Sequence, residues 1–264
     1  MKFSLKELII GGVAAGGTVL VLWLWREAVP LIIARDFKDY SFIAPAAGLI
    51  VAGGFFTLSA IFIREAKVVY PLLIAGIIIP FFFLEASGTI LAVLAANLFI
   101  TSFAIYRIRQ EHLLSYGFSL SKIAKTGLPL YFTAVSLMVS SFYLVNMDEE
   151  LAISGLLPRP AVNFAFNLVS QVLPGPAGFP REMLELNADD FYEAMALELQ
   201  QILGPYQRFL PLASALIFFF AFKAFTVPVY YLTLIFIFLL LKLLVFSKIV
   251  NKEKLQIEVE RLSL

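Results

Sequence analysis

Residues 210–246 read LPLASALIFFFAFKAFTVPVYYLTLIFIFLLLKLLVF, an apolar run in which Lys223 and Lys242 are the only charges. A helix rises about 1.5 Å per residue and bilayer hydrocarbon is about 30 Å thick, so one helix of this length reaches nearly twice across. Lys223 and Pro228 stand near its middle, in FKAFTVP, and a proline removes a backbone donor. Length therefore predicts a hairpin of two spans that turns at FKAFTVP.

Working outward, the apolar segments are Leu8–Trp25, Ile43–Ile63, Val68–Leu84, Ala86–Tyr106 and Gly127–Val145. Val68–Tyr106 repeats the hairpin pattern, with Glu85, Ser87 and Gly88 at the turn. The whole chain has 264 residues, 61% hydrophobic and 15% charged, with a mean hydropathy of +0.90. Soluble domains are about half apolar and a quarter charged, so a water-soluble fold is excluded. The expected fold class is all-α: a polytopic transmembrane helical bundle of seven spans, with six as the alternative, and a small extracytoplasmic α-helical insertion. It divides into a bundle of about five spans over 1–145, an acidic module over 146–208, a C-terminal hairpin over 209–247 and a polar tail over 248–264.

Charge pulls against length. With seven spans, the tail's Lys248, Lys252, Lys254 and Arg261 fall opposite the basic stretch Arg107–Lys125. With six spans they join it, and the asymmetry of short-loop Lys and Arg becomes stronger. Either count places the 107–126 loop in the cytoplasm and the 146–208 module outside it. The N-terminal MKFSLKELIIGGVAAGGTVLVLWLWREAVP has an apolar run longer than a usual signal peptide and no small-x-small cleavage site after WLW, so it reads as a retained first span. A helical bundle fits a plasma membrane or bacterial inner membrane rather than an outer-membrane barrel.

The 146–208 module carries nine carboxylates and three arginines. Apolar residues recur at three-to-four spacing over Pro160–Leu173 and again over Asp189–Leu203, which predicts two amphipathic helices. Asn187 is positioned to cap the second. The linking LPGPAGFP is stiffened by its prolines.

Two kinds of intramembrane feature stand out. Gly12 and Gly16 form a GxxxG pair in the first span, and Gly48 and Ala52 repeat the theme in the second. Small residues let helix backbones approach closely, so these faces predict packing of spans one and two or docking of a partner. Asn97 and Thr101 lie at i, i+4 in the fourth span, and Thr133, Ser136 and Ser140 share one face of the fifth. Such stripes line a polar path, or they hydrogen-bond within the helices. Glu85, Lys223 and Lys242 are the ionisable groups inside apolar runs, and the hairpin reading places the first two at turns.

The stretch YRIRQEHLLSYGFSLSKIAKTGLP holds Glu111, Gly117, Leu128 and Pro129 in a basic loop before the fifth span. It resembles the cytoplasmic coupling loop of binding-protein-dependent ABC importer permeases. It departs from that motif in having His112 and Leu113 for two alanines and a proline one position early. The resemblance covers about 20 residues and implies a nucleotide-hydrolysing partner at Glu111, Gly117 and Pro129. The residues themselves read as a basic juxtamembrane helix held by anionic headgroups.

Inventory limits the chemistry. The chain has no cysteine and one histidine, His112, which excludes thiol nucleophiles, thiolate metal sites and an HExxH pair. No glycine-rich phosphate loop with lysine occurs, so no nucleotide site is encoded. Glu182, Glu185, Asp189 and Asp190 cluster in the module, but acids at a helix N-terminus are ordinarily dipole-stabilising surface groups. No catalytic residue, metal or cofactor is expected. Balanced charge, with 20 Lys plus Arg against 19 Asp plus Glu, argues against nucleic acid as a partner. The expected partners are the lipid bilayer and a membrane-protein subunit. The expected role is a non-enzymatic scaffold, assembly factor or complex subunit, with a transporter or permease subunit as the alternative.

Overall fold

The computed structural model describes residues 5–34, 42–85, 87–114, 119–147, 197–198 and 204–247. Its long helices are α1 (Leu5–Ile33), α2 (Ile43–Phe62), α3 (Ala66–Ile78), α4 (Gly88–Leu114), α5 (Leu120–Asn146) and α6 (Leu210–Phe246). A 3-10 turn over Ile79–Phe83 prolongs α3, and another over Gly204–Phe209 leads into α6. Among the described residues, six helices are long and apolar enough to cross a membrane, and no strand occurs.

Local chemistry accounts for the ends. Ser87 caps α4, its hydroxyl accepting the Ile90 N–H at 3.2 Å. Successive helices run up and down, which gathers polar groups at two ends. At one, the basic end, Glu7 accepts the Arg64 N–H at 3.3 Å. There Arg109 donates to the carbonyls of Ile63 and Arg64 at 2.5 and 2.6 Å, satisfying orphan acceptors at the end of α2. Lys122 and Lys125 on the first turns of α5 lie at the same end. The far end holds Glu85, Ser87, Asn146 and the Gly204–Phe209 turn.

The interior is built around α5. Tyr131 is fully buried, stacks on Phe56 of α2 at 4.3 Å, and meets the Thr18 hydroxyl of α1 at 3.2 Å. Thr18 spends its proton on the Ala14 carbonyl at 2.9 Å, so Tyr131 is the donor of the pair. Glycines set the closest approaches. A Cβ on Gly76 of α3 would lie 3.1 Å from the Ala15 backbone of α1. One on Gly127 of α5 would meet the Ala104 carbonyl oxygen of α4 at 2.7 Å. Close backbone approach of this kind replaces the hydrophobic drive that lipid does not supply.

The C-terminal hairpin is not formed. α6 runs unbroken for 37 residues through Lys223 and Pro228. A proline costs a membrane helix one donor, and local adjustment absorbs the loss. Thr226 donates to the Lys223 carbonyl at 2.7 Å just before it, and the Lys223 ammonium is taken up by α5. A helix longer than about 30 Å of hydrocarbon requires can tilt or extend past it. α6 stacks Phe218 on Tyr143 of α5, sets Phe222 edge-on to Trp25 of α1, and later reaches Gly54 of α2 with Phe236. The six candidate spans replace the expected seven, and an even number returns the end of α6 to the basic end where α1 begins. The α3–α4 hairpin, by contrast, forms where the Glu85–Gly88 turn was expected. The amphipathic helices expected over 160–173 and 189–203, the acidic cluster at 182–190 and the 248–264 tail lie outside the described residues, apart from helical Leu197–Glu198.

Candidate sites within the helical bundle

The two small-residue faces separate. Gly48 approaches α1 so closely that a Cβ would lie 2.7 Å from Val21 Cγ2, and Ala52 is buried beside it in sequence by one turn. That face packs α1 against α2. Gly12 and Gly16 do not take part, because among the described residues a Cβ at either would meet nothing within 4 Å, and both are exposed. In their place Gly11 packs inward, where a Cβ would lie 2.6 Å from Leu72 Cδ1. The Gly12/Gly16 notch therefore opens on the outer surface of the bundle, flanked by exposed Val13 and Leu20.

Asn97 and Thr101 are fully buried on α4. They continue the face that carries Ala104 and Ile108, which meets Gly127 of α5. Both polar atoms of the Asn97 amide and the Thr101 hydroxyl lack a hydrogen-bond partner among the described residues. A buried amide without partners is costly in hydrocarbon, more so than a hydroxyl that can turn to its own carbonyl.

The polar face of α5 does the latter. Ser136 donates to Phe132 O at 2.6 Å and Ser140 donates to Ser136 O at 2.8 Å, so both hydroxyls are satisfied within their helix. Thr133 behaves differently. It donates to Pro129 O at 2.8 Å and accepts from Lys223 Nζ at 2.6 Å, while the same ammonium donates to Pro129 O at 2.8 Å. The stripe thus splits between an interior pair and a contact with α6, and the structure does not bring Thr133 together with Asn97.

The residues of the coupling-loop motif are also dispersed. Glu111 lies in the last turns of α4, Leu128 is buried in the core, and Pro129 stands inside α5 with its carbonyl bound to Lys223. Gly117 lies outside the described residues. At the far end a hollow of about 300 Å³ is lined by Glu85, Ser87, Thr89, Ile90, Leu144 and Val145. Among the described residues no three His, Asp or Glu side chains gather as a metal site would need.

Two arrangements escaped sequence reasoning. The Arg109 clamp joins residues far apart in sequence, and Lys223 was assigned to a turn that does not exist. No family model, curated protein or solved structure matches the chain.

Proposed function

We propose that the chain is a non-enzymatic subunit or scaffold of a membrane protein complex, held to its partner through the outward small-residue face of α1. The outward Gly12/Gly16 notch carries this reading. Glycine costs a helix interior about 1 kcal/mol relative to alanine. Gly11, Gly48, Gly53, Gly54, Gly76 and Gly127 return that cost as close contacts within the chain, whereas Gly12 and Gly16 return nothing among the described residues. A second transmembrane helix seated in the notch would recover it by backbone-level packing. The basic end faces the cytoplasm in this reading, by the positive-inside rule, in a plasma membrane or bacterial inner membrane.

The test is purification of the tagged protein from its own membranes in mild detergent, with quantitative mass spectrometry. A membrane protein at near-equal stoichiometry, lost from Gly12→Leu/Gly16→Leu, is the expected result. Recovery of the wild type alone would refute the reading.

A second reading, a transport path between α4 and α5, is supported by the unpartnered Asn97 and Thr101. It requires that Asn97→Leu abolish flux of a substrate in a protein that still folds.

A further inference from the structure

The Lys223 ammonium sits at membrane depth. α5 leaves the basic end at Lys125 and Thr126 and reaches the far end at Asn146. Thr133 is about two turns past Thr126, hence about 10 Å deep from the basic end and about 20 Å from the far end at about 1.5 Å per residue. The ring pairs Trp25–Phe222 and Tyr143–Phe218 set the Lys223 backbone level with the far half of α5. From there the side chain runs inward to Pro129 and Thr133, away from the far rim toward which a snorkelling lysine would reach.

Its two acceptors are a carbonyl and a hydroxyl, both neutral, and an ammonium carries three donors. In the six long helices the acids stand only at the ends: Glu7, Glu65 (just before α3) and Glu111 at the basic end, Glu27 and Glu85 (just before α4) at the far end. Among the described residues no carboxylate reaches Lys223. Charged groups at this depth are costly and ordinarily pair. The surface beside it suits a close approach, because Ala221 and Ala224 are small and exposed next to exposed Val227, and Pro129 is exposed across the seam.

We infer that Lys223 anchors a transmembrane helix of a partner protein that carries an aspartate or glutamate at the matching depth. The inference rests on the complex-subunit reading and names its partner's chemistry. Depth favours a side-chain carboxylate over a lipid phosphate, which lies at the surface rather than about 10 Å inside it.

The experiment uses the purified full chain with Ser247→Cys at the end of α6, the only thiol and away from the proposed contact, carrying a donor dye in phosphatidylcholine vesicles. Acceptor-labelled polyleucine helices bear one Asp, Asn or Leu a third of the way along. Energy transfer should reach half-maximum at about tenfold less Asp helix than Leu helix. The preference should vanish in Lys223→Met and persist in Lys223→Arg. Equal association of the Asp and Leu helices with the wild-type lysine overturns the inference, and that comparison needs no lysine variant to fold. Loss of the preference on adding phosphatidylglycerol also overturns it, by making lipid phosphate the occupant. A native partner that stays with Lys223→Met as with wild type removes this anchor while the subunit reading stands. A wild type that brings no partner removes the subunit reading itself.

Discussion

The Arg109 guanidinium of α4 donates to the Ile63 carbonyl at 2.5 Å, and its other terminal nitrogen donates to Arg64 O at 2.6 Å. This fork closes the end of α2 from a neighbouring helix, in a position where the chain offers those carbonyls no further helical turn.

Arg109→Ala should lower stability by about 1–3 kcal/mol, since charge-assisted hydrogen bonds at a partly buried site are lost. Arg109→Lys should recover only part of it, because a lysine has one nitrogen for two diverging carbonyls. Thermal unfolding in detergent, followed by helical circular dichroism, measures both.

Gly127 and Gly16 should respond in opposite ways to alanine. A methyl at Gly127 meets the Ala104 backbone oxygen and the Ile108 side chain, so helix separation at a cost of about 1–3 kcal/mol is expected. A methyl at Gly16 meets nothing among the described residues and should leave the isolated protein unchanged or more stable by up to about 1 kcal/mol. Equal losses at the two positions would mean that Gly16 packs within the chain.

Asn97→Leu should raise the unfolding midpoint, because a near-isosteric apolar side chain removes two unpartnered buried atoms. The gain is about 1–3 kcal/mol by the usual cost of such groups. A loss of similar size would show that the amide is satisfied in the folded protein.

The single crossing of α6 is testable with membrane-impermeant maleimide, since the chain has no cysteine of its own. Lys6→Cys and Ser247→Cys should label from the same side of sealed vesicles, and Tyr206→Cys from the other. A hairpin at Lys223–Pro228 would put Ser247 opposite Lys6.

Much of the bundle was legible from hydropathy, because a helix in lipid must be long and uncharged and both properties are local. The continuity of 210–246 was not legible. Pro228 and Lys223 announce a turn in water, but in the bundle α5 takes up the ammonium and the helix absorbs the missing donor. Facing was also hidden. The lipid and the protein interior are both apolar, so periodicity does not distinguish Gly11, which is packed, from Gly12, which is open. The spacing placed Thr133, Ser136 and Ser140 on one face, yet it could not show that Ser136 and Ser140 turn to carbonyls one turn back while Thr133 meets Lys223 and the Asn97 amide has no partner among the described residues.

The measurement that bears most directly on the subunit reading is photocrosslinking in native membranes. A benzophenone amino acid replaces Val13 or Leu20, which flank the Gly12/Gly16 notch, and Phe99 on the exposed surface of α4 serves as the comparison. One protein adduct of fixed mass from Val13 and Leu20, with none from Phe99, is the result predicted. Lipid adducts alone from all three positions would contradict a partner at this face.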